Sequence, residues 1–243
     1  MSLSKNQFKL ITSLKQKKYR LKHHLFIAEG TKVVDEFLHS NFELDQLFCV
    51  DNSPYSNIEN CYLVSDAILK KISTLKTPNN VVAIFKIPKV QKLKNDGLIL
   101  VLDGVNDPGN LGTIIRLCDW FGVDQLICSE NTVDCYNTKV VQATMGSLTR
   151  VSIVYTAIEN YLKNTQLPIF ATLMDGENVY KSNLPKSGVL VMGNEANGIS
   201  KEISEIVKHK LTIPRFGDIQ QTESLNVATA TAILLSEFKR GLK

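Results

Sequence analysis

Short strand-like runs rich in apolar residues alternate with helix-like segments from Leu98 to the end of the chain. The apolar runs are LILVL, VDQLICS, PIFATLM, GVLVM and HKLTIP, and the helix-like segments are LGTIIRLCDWF, YNTKVVQATMGSL, SKEISEIVK and SLNVATATAILLSEFKR. Strands that are apolar on both faces and alternate with helices predict a parallel sheet covered on both sides, hence an α/β fold. Ligands bind such sheets at the carboxyl ends of the strands, so we expect a site in the loops that follow Leu102, Met192 and Ile213.

The chain before this sheet predicts a separate, smaller α/β domain. Ser4 is placed to cap a first helix, and a second short helix is expected to begin near Gly30. The strand-like runs are LDQLFCV, CYLVSD and VVAIFKI, with DAILKKISTLK as a helix between the last two. The lysine-rich segment PKVQKLKNDG has no apolar periodicity and is typical of a linker. The sequence therefore predicts a first domain at 1–88, a linker at 89–97 and a second domain at 98–243.

Composition narrows the class of protein. The N-terminal segment MSLSKNQFKL lacks the apolar core of a signal peptide, and no stretch approaches the length needed to span a bilayer. The five cysteines include no C-x-x-C pair, and the four histidines show no ligand spacing. We therefore expect a cytoplasmic protein with free thiols and no metal site.

The first acidic residue of the chain is Glu29, and seven lysines or arginines precede it. A solvated helix face is one interpretation of this basic block. The single sign of the charges, with Tyr19 and two histidines nearby, also fits a surface that binds nucleic acid. On that interpretation the nucleic-acid-binding residues are Lys15, Lys17, Lys18, Arg20 and Lys22.

The loop after Met192, GNEANGIS, has the glycine spacing of a phosphate-binding loop. Ile199 stands where that loop needs its lysine, and Glu195 would repel phosphates, which argues against an NTPase. The first strand is not followed by G-x-G-x-x-G, which argues against a dinucleotide-binding oxidoreductase. The glycines let the backbone approach a bulky ligand, and Glu195 favours a ligand with positive charge. A tight turn with a surface glutamate is the alternative.

The loops after Leu102 and Ile213 also allow two interpretations. DGVNDPGNLGTIIR can be a turn in which Asn110 caps a helix that starts at Leu111. Arg116 would then lie early in an apolar helix, where the helix dipole disfavours a cation, and this indicates a functional site. In the third loop Ser224 is the expected N-cap, with Asn226 entering the helix although asparagine is a poor interior helix former.

Together the three loops resemble the SpoU/TrmH-type RNA ribose 2′-O-methyltransferases of the SPOUT superfamily. Their first motif, D-P-x-N-x-G-x-x-x-R, is matched by Asp107, Pro108, Asn110, Gly112 and Arg116. The second, G-x-E-x-x-G, is matched by Gly193, Glu195 and Gly198. The third is matched by Ile213, Pro214, Ser224, Leu225, Asn226 and Val227. The region up to 88 is similar to the RNA substrate-binding domain often fused to these enzymes.

The resemblance implies a fold, a cofactor and an assembly. The second domain would be a parallel α/β sheet whose C-terminal segment forms a trefoil knot, against the general rule that chains are not knotted. The implied cofactor is S-adenosylmethionine, a sulfonium cation, and the implied assembly is a homodimer without metal. The cofactor-binding residues implied by position are Leu173, Gly193, Asn194, Gly198, Ile213 and Leu225.

The reaction implied is methyl transfer to a ribose 2′-hydroxyl, an in-line displacement that needs alignment and removal of a proton. The catalytic residues implied by position are Asn110, Arg116, Glu195, Ser224 and Asn226. Arg116 would act as the base or would bind the target phosphate, since a free guanidinium stays protonated. A guanosine of 23S rRNA is the leading target, with tRNA or a catalytically silent RNA-binding role as alternatives.

Two departures from the family pattern affect the substrate side. Arg215 follows Pro214 where the family has methionine, and FGDIQQTE lengthens the approach to Ser224. In the intervening helix, Gln142 and Thr144 replace a basic residue and serine. RNA contacts are therefore expected to differ from those of the family at these positions.

Overall fold

A computed structural model describes residues 3–50, 53–218 and 224–240, with Met174 described by its backbone alone. The chain divides into two compact units. The first unit comprises Met1–Lys89 and Asp134–Arg150, and the second comprises Val90–Val133 and Val151–Lys243. The segment 134–150, which the sequence places in the second domain, thus packs with the first unit.

The described residues form ten strands and nine α-helices. The strands are β1 (Leu25–Glu29), β2 (Leu44–Cys49), β3 (Cys61–Leu63), β4 (Val81–Lys86), β5 (Leu98–Leu102), β6 (Gln125–Cys128), β7 (Ile153–Tyr155), β8 (Ile169–Asn178), β9 (Gly188–Met192) and β10 (His209–Thr212). The helices are α1 (Lys5–Ser13), α2 (Lys17–His23), α3 (Thr31–Leu38), α4 (Asp66–Ile72), α5 (Pro108–Phe121), α6 (Thr138–Thr144), α7 (Ile158–Asn164), α8 (Lys201–Ile206) and α9 (Val227–Lys239). Among the described residues, no helix combines the length and apolarity needed to cross a membrane.

The first unit contains a four-stranded sheet in the order β1-β4-β2-β3. Strand β4 is antiparallel to β1 and β2, and β3 is parallel to β2. Ser4 caps α1 through a capping box with Gln7, as predicted. Sequence reasoning missed β1 and α2; the only buried residue of α2 is Arg20, so this helix has no apolar periodicity to detect.

The second unit contains a six-stranded sheet in the order β10-β8-β9-β5-β6-β7, and every paired register is parallel. Strands β5, β6 and β9 are buried along their whole length. The predicted parallel α/β sheet is therefore confirmed. Strand β7 and helix α7 were not predicted. They have only three and seven residues, too few to show a clear apolar pattern in the sequence.

Two predicted helix starts are wrong. Helix α5 begins at Pro108 with Asp107 as its N-cap, because proline at the first position suits a helix start and the Asp107 carboxylate accepts the backbone N–H of Asn110. Arg116 is consequently the ninth of fourteen residues and not close to the helix N-terminus. Helix α9 is capped by Asn226 and not by Ser224, since the Asn226 Oδ1 atom accepts the first free backbone N–H groups.

The five cysteines are free, in agreement with the sequence. Cys49 and Cys61 lie on neighbouring strands with their Sγ atoms 3.3 Å apart. Burial and the contact with Cys49 raise the pKa of the Cys61 thiol to about 12, so this side chain stays protonated at neutral pH.

Candidate active site

The three predicted loops meet at the carboxyl edge of the six-stranded sheet through one line of hydrogen bonds. Asn110 Nδ2 donates to Glu195 Oε1 at 2.9 Å, and Asn226 Nδ2 donates to Asn110 Oδ1 at 2.9 Å. Asn226 Oδ1 accepts from the backbone N–H of Ala228, so both ends of each amide have a partner. The asparagine that caps α9 therefore also orients the asparagine in the first turn of α5.

The first loop is fixed from both sides. Its Gly104 has φ +72°, a left-handed conformation that favours glycine, and its N–H donates to Ser129 Oγ at 2.9 Å. The backbone N–H of Asn106 faces Glu195 Oε2 at 3.5 Å, the longest contact of the group. This loop therefore presents Asn110 on a preorganised backbone.

The second loop folds back on itself. Asn194 and Gly198 exchange two backbone hydrogen bonds of 2.7 and 2.9 Å. A Cβ atom on Gly193 would lie 2.2 Å from the carbonyl carbon of Gly198, so this position requires glycine. A Cβ on Gly198, which has φ +68°, would meet no atom within 4 Å, so open space adjoins the loop at this glycine. The loop thus exposes backbone at the place where a ligand needs a close approach.

Both polar atoms of the Asn194 side chain form hydrogen bonds that order this loop. Its Oδ1 atom accepts the N–H of Ala196 at 2.8 Å, and its Nδ2 donates to the carbonyl of Gly104. At the end of the loop, Asp103 Oδ2 accepts the N–H of Ser200 at 2.8 Å. The Asn194 side chain therefore orders the second loop and ties it to the first.

The predicted cofactor residue Leu173 lies in a segment where β8 leaves its ladder. The register of β8 against β10 jumps between Ala171 and Glu177, and a Cβ on Gly176 would lie 2.5 Å from the backbone of Leu211. Thr172 Oγ1 lies 3.8 Å from the sulfur of Met192, the residue before Gly193. The half-buried Leu173 is thus next in the chain to a residue that contacts the end of β9.

The other predicted cofactor residues, Ile213 and Leu225, flank the third loop. Ile213 is half-buried directly after β10, and Leu225 is exposed directly before Asn226. Part of this loop, 219–223, lies outside the described residues. Ser224 is exposed beside Leu225.

Arg116 is exposed on α5 and makes no hydrogen bond with the three joined side chains. In the described part of the chain its guanidinium has neither a hydrogen bond nor an ion pair. The structure therefore joins Asn110, Glu195 and Asn226 and leaves Arg116 free to bind a ligand.

Sequence reasoning missed Asp103 and Ser129, which follow β5 and β6 directly. The rule that directed attention to the carboxyl ends of strands would have found both. With Asp107 and Glu195, Asp103 gives this edge of the sheet three carboxylates. Such an edge favours a cationic ligand over a polyphosphate.

The predicted nucleic-acid-binding set needs one correction, at Arg20. Its side chain is 2% exposed, and its Nε and Nη2 atoms donate to Asp134 Oδ2 at 2.8 and 2.6 Å. The remaining Nη1 donates to the carbonyl of Leu14 at 2.8 Å. A buried charge requires such partners, so Arg20 is structural and unavailable to RNA.

The lysines of the same set are exposed. Lys17, Lys18 and Lys22 lie on α2, and Lys18 Nζ is 4.8 Å from the centre of the Tyr19 ring. Lys15 donates to the carbonyl of Ser73 at 3.3 Å while remaining exposed. These four lysines remain a predicted surface for a polyanion.

Comparisons with known proteins match both regions of the chain. The SpoU rRNA methylase family matches residues 97–236, and the MRM3-like substrate binding domain matches residues 5–83. The 23S rRNA (guanosine(2553)-2′-O)-methyltransferase RlmP of Bacillus subtilis is 32% identical over 231 residues, which cover 91% of each chain.

Solved structures agree with this assignment. A TrmH-family protein from Porphyromonas gingivalis is 36% identical, with a TM-score of 0.88 over 98% of each chain. The AdoMet-bound rRNA methyltransferase from Sinorhizobium meliloti is 29% identical, with a TM-score of 0.88 over 100% of this chain and 97% of that one. The three joined loops lie within the matched family region, and the chain belongs to the SpoU rRNA methylase family.

Proposed function

We propose that the protein transfers a methyl group from S-adenosylmethionine to a ribose 2′-hydroxyl of ribosomal RNA. The observation that carries this proposal is the hydrogen-bonded line Asn226–Asn110–Glu195, because it unites one side chain from each of the three family motifs. A protein that only bound RNA would have no need of three loops held in this arrangement.

The residues at the sheet edge fit S-adenosylmethionine. The sulfonium is a cation, and Asp103, Asp107 and Glu195 supply carboxylates to this edge. Gly198 has open space beside it, so the loop can approach a bulky ligand through its backbone. We assign cofactor binding to Leu173, Gly193, Asn194, Gly198, Ile213 and Leu225. When bound, the cofactor supplies an electrophilic methyl group.

The catalytic side chains have separate roles in this proposal. Asn110 is held in one orientation by Glu195 and Asn226 and positions the ribose for in-line attack. Arg116 is exposed and without a partner in the described residues, so it binds the phosphate beside the target ribose. The 2′-hydroxyl proton then leaves toward that phosphate or solvent, because a protonated guanidinium accepts none. Ser224 contacts the substrate from the third loop.

The leading target is a guanosine of 23S rRNA, since RlmP of Bacillus subtilis is named for that reaction and is similar over nearly the whole chain. The exposed Lys15, Lys17, Lys18 and Lys22 would contact RNA phosphates. Ribosomal RNA is cytoplasmic in bacteria, which gives the expected location. Transfer RNA is the second candidate target, because a Synechocystis relative that is 30% identical over 188 residues is named a tRNA/rRNA methyltransferase.

The proposal includes a homodimer. Helix α5 exposes Trp120 to 83%, and we place this indole against a second copy of the chain. The trefoil knot is part of the same proposal. Sedimentation equilibrium should give twice the chain mass, and Trp120→Glu should shift the protein toward the monomer.

Two measurements test the activity. Calorimetry should detect S-adenosylmethionine binding to the protein without RNA, and radiolabelled methyl should pass to protein-free 23S rRNA or to ribosomal subunits. Binding of RNA without any cofactor binding at high micromolar concentration would leave the catalytically silent alternative standing. Activity should survive a metal chelator, because the proposed chemistry uses no metal.

A further inference from the structure

Two aromatic side chains form an exposed pair just beyond the six-stranded sheet. Phe216 is 81% exposed and Tyr180 is 39% exposed, and their ring centroids lie 6.3 Å apart at an angle of 34°. This distance is within the range of direct ring contact, about 4.5–7 Å, so nothing fits between the rings. The free ring surface of the pair is therefore mainly the outward side of Phe216.

The pair occupies a defined place in the fold. Asn178 and Thr212 are paired as the last residues of β8 and β10, and Tyr180 and Phe216 follow them. Both rings consequently lie beyond the carboxyl ends of adjacent parallel strands, the edge at which the three motif loops meet. Phe216 comes two residues after Pro214, in the segment that is longer here than in the family.

Tyr180 is on a rigid support. Its backbone N–H donates to Asn178 Oδ1 at 3.0 Å, and Ser182 Oγ donates to the carbonyl of Asn178 at 3.0 Å. Val179 beside it is fully buried. The Tyr180 ring, carried by this ordered backbone, contacts Phe216 and can support it, although Phe216 itself lies on a loop.

The charges around the pair favour an anionic partner. Lys181, next to Tyr180 in the chain, is an exposed cation, and Arg215, next to Phe216, is exposed but already has a partner within the chain. Asp218 is the opposing carboxylate in the same segment, and Lys210 is engaged by Asp175 at 2.9 Å. An exposed ring with a flanking cation has the chemistry that binds an unpaired nucleobase and its phosphates.

We propose that Phe216, supported by Tyr180, is a stacking platform for an unpaired nucleobase of the RNA substrate. The partner is single-stranded RNA, because a purely apolar protein segment would gain nothing from the exposed cation Lys181. The platform contributes to substrate recognition and leaves cofactor binding to the three motif loops. The identity of the RNA bound by this platform rests on the proposed function. The stacking of a base on Phe216 can be tested without methyl transfer.

The first test is kinetic. Phe216→Ala should raise the KM for RNA by about tenfold, in line with the loss of one stacked base, while cofactor affinity and kcat at saturating RNA stay near wild type. Phe216→Trp should restore the KM, since any broad aromatic ring can stack. Val90→Ala, at a linker residue that is 83% exposed, is the matched control and should change nothing. An unchanged KM in Phe216→Ala overturns the proposal.

The second test needs no methyl transfer and so separates this proposal from the proposed function. Trp120 is the only tryptophan, so Trp120→Phe combined with Phe216→Trp places the sole indole at the platform. Titration with a short single-stranded RNA should quench its fluorescence, and Tyr180→Ala should weaken the quenching severalfold. Quenching in a protein that methylates no RNA would keep the platform and reject the enzyme. Absence of quenching at saturating RNA would reject the platform.

Discussion

Arg20 and Arg116 were both predicted to act on RNA, and their surroundings in the structure are opposite. Arg20 lies in the first unit at 2% exposure, with Asp134 and the carbonyl of Leu14 taking its three nitrogen groups. Arg116 lies in the second unit on the exposed side of α5, with no partner among the described residues.

The difference in burial indicates that Arg20 has a structural role and Arg116 a functional one. A guanidinium that is buried and completely hydrogen-bonded holds elements together, here the end of α1, α2 and the segment before α6. The exposed guanidinium of Arg116, on the same helix as Asn110, makes no hydrogen bond to the described residues and can bind a ligand. Removal of the first should therefore affect folding, and removal of the second should affect chemistry.

The largest effect is expected on folding from Arg20→Ala. This change leaves Asp134 as a partly buried charge without its partner, which costs about 3–5 kcal/mol in the free energy of unfolding. Urea denaturation measures it. Lys17→Ala on the same helix is the control and should change stability by less than about 0.5 kcal/mol. Equal stability of the two variants would show that the ion pair is not structural.

Arg116→Ala should reverse this pattern. Its stability should stay within about 0.5 kcal/mol of wild type, because the side chain is exposed. Methyl transfer should fall by about 100-fold or more, as expected for loss of a group that positions the phosphate beside the attacking hydroxyl. Arg116→Lys, which keeps a phosphate-binding charge, should retain part of the rate. Full turnover in Arg116→Ala would refute the assignment.

Helix α2 carries three exposed lysines, which can bind RNA, beside the buried Arg20, which cannot. Changing Lys17, Lys18 and Lys22 to glutamate should weaken RNA binding by about tenfold or more at low salt and make it less sensitive to salt. Cofactor affinity should be unaltered. Filter binding at several salt concentrations gives both quantities. Unchanged affinity at low salt would make this block an ordinary solvated face.

The smallest effect is expected from Glu195→Gln, which removes charge but keeps an oxygen for Asn110. We expect the affinity for S-adenosylmethionine to fall about fivefold, because an exposed carboxylate contributes about 1 kcal/mol toward a nearby cation. Calorimetry with S-adenosylmethionine measures this change. A neutral cofactor analogue without the sulfonium is the control and should bind both proteins equally. The same loss for both ligands would mean that Glu195 acts through the loop and not through charge.

Sequence reasoning predicted the second sheet well because β5, β6 and β9 are continuously apolar and their loops carry motif residues. It misplaced the caps at Asn110 and Ser224, since several residues in each loop have the chemistry of an N-cap and only the backbone path selects one. The sequence also did not predict that segment 134–150 packs with the first unit. The Arg20–Asp134 pair joins positions 114 apart in the chain, and no local pattern reports such a contact.

The basic block before Glu29 shows again that a local sequence pattern does not report contacts between distant positions. Charge along the chain identified a positive segment correctly, but the inward direction of Arg20 depends on an acid far away in sequence. The knot and the homodimer stay predictions, because both follow from the family resemblance.

The most direct measurement is mass-spectrometric mapping of ribose methylation in rRNA and tRNA from cells with the gene, without it, and with Arg116→Ala in its place. We expect that one 2′-O-methylated nucleotide of 23S rRNA is lost on deletion, returns with the wild-type gene and stays absent with Arg116→Ala. Identical rRNA methylation in all three strains would contradict it.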